Sequence, residues 1–161
     1  MKKITQTIRL PSLMVWPIRF IPPWIHPTIL ITVLNQVLYQ SLQRGELTFL
    51  HQRTVLIHVT DAPMNACLTV VGNKFIRGQH QKVDLLIEGT TYDFLLLATG
   101  REDADTLFFN RRLRLEGETE LGLYVKNFLA TQEPQQLLGP LFKLLQIATY
   151  GVERLAHFRN S

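Results

Sequence analysis

Cys67-Leu68-Thr69-Val70-Val71-Gly72-Asn73-Lys74-Phe75-Ile76-Arg77-Gly78-Gln79 reads as two strands joined by a tight turn. A Gly-Asn pair between two extended runs is a hairpin signal, because glycine accepts the left-handed backbone that such a turn needs. Upstream, Val55, Ile57 and Val59 alternate with Leu56, His58 and Thr60, the period of a half-buried strand. Downstream, Val83 to Glu88 forms a further strand closed by Gly89, and Leu113 and Leu115 alternate with Arg112, Arg114 and Glu116.

Helical spacing surrounds these strands. Leu30, Ile31, Leu34, Val37, Leu38 and Leu42 recur at three- and four-residue steps, predicting a helix over Thr28 to Leu42 that Gly45 ends. Tyr92 to Thr99 is a short leucine-rich helix stopped by Gly100, and Asp103 to Phe109 is a second, capped by Asp103 or Asp105. Leu121, Tyr124, Val125, Phe128 and Leu129 mark another helix, and Leu137 to Ile147 a last one after Pro134. Hairpin-linked strands beside separate helical runs predict an α+β fold. The closing helix is apolar on more than one face, so a tighter core, a second subunit or a lipid must cover it.

The chain has 161 residues, enough for one compact domain and a short appendage. Hydrophobic residues make up 46% and charged ones 19%, which excludes disorder. Lys2, Lys3, Arg9, Arg19 and Arg44 precede the first acid, Glu46; beyond Gly45 the net charge is −1. The folded body therefore lacks the basic face of a nucleic-acid binder.

Residues 1–28 form an apolar arm interrupted by Pro11, Pro17, Pro22, Pro23 and Pro27, which forbid one long helix. Arg9 interrupts a signal-peptide reading, and the prolines and later glutamines break a membrane span. What remains is a basic, tryptophan-bearing segment suited to a membrane interface, with Lys2, Lys3, Arg9, Trp16, Arg19, Phe20 and Trp24 as contact residues. Packing of the same aromatics on the domain's own core is the other reading. One cysteine, Cys67, permits no internal disulfide, which fits a cytoplasmic chain peripheral to the inner membrane.

Chemistry-bearing motifs are missing from the residues. His51 and His58 sit seven apart on extended chain, pointing to opposite faces, and no nucleophile elbow, phosphate-binding loop or dinucleotide fingerprint occurs. Glu116, Glu118 and Glu120 flank a strand-to-helix turn, where acids favour a helix N-terminus. Arg111, Arg112 and Arg114 suit either a phosphate or a solvated strand face. No catalytic residue, metal or cofactor is expected.

The run Leu113 to Leu123, LRLEGETELGL, resembles the strand-glycine-acid-helix signature of the sterol carrier protein type two domain. The longer run Arg101 to Leu129, REDADTLFFNRRLRLEGETELGLYVKNFL, and the segment Gly45 to Leu50, GELTFL, resemble the UbiT family of proteobacterial ubiquinone biosynthesis accessory factors. The similarity spans about Val33 to Leu129. Ala104 stands where proline is expected, and Asn110 where glutamine is expected.

The resemblance implies an α+β, sterol-carrier-protein-like domain over 29–161, its sheet of about five strands covered by helices that enclose an apolar lipid cavity. It also implies a non-catalytic role in oxygen-independent ubiquinone synthesis, beside the iron-sulfur proteins UbiU and UbiV, holding a prenylated quinone intermediate by its tail. Leu107, Phe108, Leu121, Phe128, Leu141, Phe142 and Leu145 are the cavity candidates, with ordinary core as the competing role for each. A general phospholipid carrier and an interaction module that uses its apolar helices, for instance in a homodimer, are the alternatives.

Overall fold

The computed structural model describes residues 25–133 together with Lys143, Gln146, Ile147 and Tyr150. Five strands form one mixed sheet in the order β3-β2-β1-β4-β5. They are β1 (Val55–Val59), β2 (Met64–Val71), β3 (Lys74–Arg77), β4 (Leu85–Gly89) and β5 (Arg114–Gly117). β1 and β4 pair in parallel, and the other neighbours are antiparallel. The expected hairpin is present: Val71 faces Lys74 across a turn in which Gly72 takes φ 57°. The α+β expectation therefore holds, with β2 starting three residues earlier than alternation alone suggests and Gly89 inside β4 instead of closing it.

Register puts the apolar positions on one side. Val55 pairs with Leu68 and Leu85, Ile57 with Ala66 and Ile87, and Val70 with Phe75, so these side chains share one face. The opposite face carries a polar row of Asn65, His58, Glu88 and Arg114 across four strands. His58 Nε2 and Arg114 Nη1 each lie 3.9 Å from the Glu88 carboxylate. Cys67 is 1% exposed, and burial pushes its thiol above the ordinary range.

The helix expected over Thr28 to Leu42 is two: α1 (Ile25–Val37) and α2 (Tyr39–Gln43). Leu38 breaks the regular dihedrals, with φ −96° and ψ 15°, yet the hydrogen-bond ladder continues through it. Leu38 donates to Leu34 O at 2.8 Å and Leu42 donates to Leu38 O at 2.9 Å. The apolar stripe of Leu30, Leu34, Leu38 and Leu42 thus stays on the sheet side despite the break. Gly45, with φ 74°, then turns the chain into a 3-10 turn at Thr48–Leu50.

Asn35 pins α1 to the sheet. Its amide donates to Phe75 O at 2.8 Å and its Oδ1 accepts from Phe75 N at 2.7 Å, so one side chain pairs both backbone groups of an edge-strand residue. Asn35→Ala would leave both groups without this partner, and the expected loss is about 1–3 kcal/mol of stability in urea unfolding. An unchanged midpoint would contradict this role.

A second, smaller core forms at the other end of the sheet from α3 (Thr91–Thr99) and α4 (Ala104–Phe109), where Tyr92, Leu96, Leu107 and Leu113 are buried. Asp103 caps α4, accepting from Thr106 N at 2.7 Å, and hydrogen bonds from the Thr106 hydroxyl and amide hold its carboxyl below the ordinary aspartate value. Asp93 closes a capping box with Thr90 and accepts from Arg112 Nε at 2.7 Å. Arg112 is therefore no solvated strand residue: its side chain is 14% exposed and lies over the Tyr92 ring. Opposite charge in a small core needs that pairing, since an unpaired buried ion is costly.

α5 (Thr119–Thr131) returns along the main core and buries Leu121 and Val125. Glu118 takes the N-cap position without a side-chain cap bond, because its carboxylate instead accepts from Arg53 at 2.6 Å. Glu118 and Glu120 thus stand at the helix N-terminus as expected, at the N-cap and in the first turn of α5, while Glu116 lies in β5.

Candidate functional site

A cavity of about 100 Å³ lies between α1, the 3-10 turn, the apolar sheet face and α5. Its floor is Val55, Ile57, Leu68, Val70, Phe75 and Ile87, delivered by alternation on four strands. Leu34 and Leu38 wall it from α1 and its break, Leu47, Phe49 and Leu50 from the turn, and Val125, Phe128 and Leu129 from α5. Among the described residues Arg53 is the one charged wall residue, and its guanidinium is turned to Glu118 at 2.6 Å and Asp84 at 3.6 Å.

Aromatic rings link the turn to α5. Phe49 stacks on Tyr124 with centroids 5.7 Å apart and meets Phe128 at 6.3 Å. Such contacts bridge segments far apart in sequence and close one side of the cavity. The space is small beside the ~300–1,000 Å³ of sites that enclose a small molecule, so a long hydrocarbon must push a wall outward to enter. Each methylene it buries contributes about 0.8 kcal/mol, without any polar partner. The site can hold hydrocarbon, and among the described residues its walls carry no polar side chain besides the neutralised Arg53 and Thr69. Among the described residues no group of three potential metal ligands assembles, and no helix is long and apolar enough to cross a membrane.

The structure spreads the seven cavity candidates. Phe128 is in the wall. Leu121 is 3% exposed in the main core but does not line the cavity, and Leu107 and Phe108 belong to the second core. Leu141, Phe142 and Leu145 lie outside the described residues, as do Lys2, Lys3, Arg9, Trp16, Arg19, Phe20 and Trp24. Sequence reasoning missed Phe49, Phe75 and Ile87 as wall residues; their pattern was visible in the strand alternation and in the GELTFL segment, but not their convergence.

The profile described as the SCP-2 sterol transfer family matches residues 34–130. Proteins named ubiquinone biosynthesis accessory factor UbiT, from Escherichia coli K12 and O157:H7, are each 39% identical over 141 residues, covering 87% of this chain and 81% of theirs. Among solved structures, one described as UbiJ-SCP2 ubiquinone synthesis protein superposes with a TM-score of 0.52 at 16% identity, covering 79% of this chain and 95% of that one. That last likeness concerns the fold. It agrees with the five-stranded sheet and its helical cover.

Proposed function

The chain belongs to the SCP-2 sterol transfer family, and from that membership we propose that it is a non-catalytic accessory factor of ubiquinone synthesis that holds a prenylated quinone intermediate by its tail. The observation that carries this reading is the cavity wall, hydrocarbon throughout among the described residues except for Arg53 and Thr69. The relatives named as ubiquinone biosynthesis accessory factors support the choice of a quinone precursor as ligand. Burying a dozen tail carbons is worth on the order of 10 kcal/mol before the costs of association, enough for retention without a polar anchor.

The role belongs to the oxygen-independent route, in which UbiU and UbiV carry out ring hydroxylation while this chain presents the intermediate. It works in the cytoplasm at the inner membrane, where the arm over 1–28 reaches the bilayer through Lys2, Lys3, Arg9, Arg19, Trp16, Phe20 and Trp24. Deleting the gene is expected to lower ubiquinone in cells grown without oxygen and to spare it in aerated cells. Equal loss under both conditions, or none, would contradict the assignment.

The arm is tested separately. In the full chain, replacing Lys2, Lys3, Arg9 and Arg19 by glutamine is expected to remove the salt-sensitive part of liposome flotation. Trp16→Ala with Trp24→Ala is expected to remove the salt-resistant part. Flotation undiminished by both sets would sink the membrane role of the arm.

A further inference from the structure

Two helices end in the same geometry on different residues. α3 closes on Gly100, φ 62°, whose amide donates to Leu97 O at 3.2 Å while Arg101 N donates to Leu96 O at 3.1 Å. α4 closes on Arg111, φ 56°, whose amide donates to Phe108 O at 3.0 Å while Arg112 N donates to Leu107 O at 2.9 Å. The left-handed residue of this closure is ordinarily glycine, because a side chain is strained there. An arginine is thus held where the backbone alone prefers glycine. Strain of this kind collects where a side chain is needed for something other than stability.

The surroundings indicate what that is. Phe109, two residues earlier, is 88% exposed, the most exposed large hydrophobic among the described residues. The segment Phe109 to Arg114, FNRRLR, has three arginines and no acid, although the body beyond Gly45 carries a net charge of −1. Arg112 is withdrawn into its pair with Asp93, which leaves Arg111 exposed and Arg114, 3.9 Å from the Glu88 carboxylate, with 60% of its side chain in solvent. Two open clefts flank the turn, and Arg111 and Arg114 line both: the one of about 430 Å³ also holds Asp61, Glu88 and Asp93, whereas the one of about 490 Å³ adds Lys126 and a single acid, Glu116.

We infer that the turn from Phe109 to Arg114 is a membrane-docking surface of the folded domain: Phe109 enters the interfacial layer of an anionic phospholipid bilayer, and Arg111 and Arg114 take lipid phosphates on the side of the turn that Lys126 lines. An apolar ring beside guanidiniums matches such a surface, which offers a hydrocarbon boundary under a layer of phosphate. The contact is made by residues outside the 1–28 segment and does not depend on what fills the cavity.

The test uses the full chain with Phe109→Cys carrying an environment-sensitive nitrobenzoxadiazole label; buried Cys67 does not compete for it. On vesicles of phosphatidylglycerol and phosphatidylcholine the label is expected to shift to the blue and to be quenched by doxyl lipid, and on phosphatidylcholine alone to do neither. In the otherwise native chain, Arg111→Gly is expected to bind anionic vesicles about fivefold more weakly while melting no lower than wild type, and Arg114→Gln to lose a similar factor. A label that stays in water while the chain floats, as it would if the turn met a protein and the arm alone held the bilayer, overturns the inference. So does a chain that fails to bind anionic vesicles, or an Arg111→Gly variant that binds them as wild type does.

Discussion

Replacing Gly117 by alanine is expected to destabilise the fold by about 3–5 kcal/mol, among the largest effects of any single methyl group in this chain. Gly117 sits at φ 132°, and a Cβ built there falls 2.3 Å from Asp84 O and 3.1 Å from Leu85 Cα. These are backbone atoms and cannot swing aside. Asp84 O accepts from Glu118 N at 2.9 Å, and Leu85 pairs with Gly117 across β4 and β5, so relief would break the sheet edge and the entry to α5 together. Urea unfolding measures the loss. A change below about 1 kcal/mol would mean that the turn relaxes freely.

The second large effect is on ligand retention. Phe128→Asp places a carboxyl group in the cavity wall, and even in its neutral form a polar group without a partner against hydrocarbon costs about 2–7 kcal/mol, a weakening of about 30-fold or more. Phe128 suits this test because it is only half-buried, so the fold tolerates the change better than it would at Leu68, which is 4% exposed. Phe128→Leu keeps the wall apolar and is expected to retain lipid. A folded Phe128→Asp variant, matched to wild type by thermal melt, that keeps its lipid and restores anaerobic ubiquinone would exclude the carrier role.

Much of the fold was legible because its signals are local. The Gly72-Asn73 pair, the alternation around Val55 and Leu115, the Asp103 cap and the Gly100 stop each act within a few residues, and all appear in the structure. Other features depend on segments that meet only in space. The role of Asn35 needs an edge strand forty residues away, which helical periodicity treats as one more polar position. Arg112 alternates like a solvated residue, yet Asp93, nineteen positions earlier, draws it inward. The same limit governs the cavity. Phe128 and Leu107 lie on equally apolar stripes, and only the packing of α5 against the sheet, and of α4 against α3, sends one to the cavity and the other to a separate core.

The central claim is that the space between α1, the sheet and α5 holds the tail of a prenylated quinone intermediate. Native mass spectrometry of the full-length chain purified from cells grown without oxygen tests it directly, with the released lipid identified by fragmentation. A prenylated quinone precursor bound to wild type and missing from Phe128→Asp is the expected result. A wild-type chain that emerges empty, or that carries phospholipid alone, would contradict the claim.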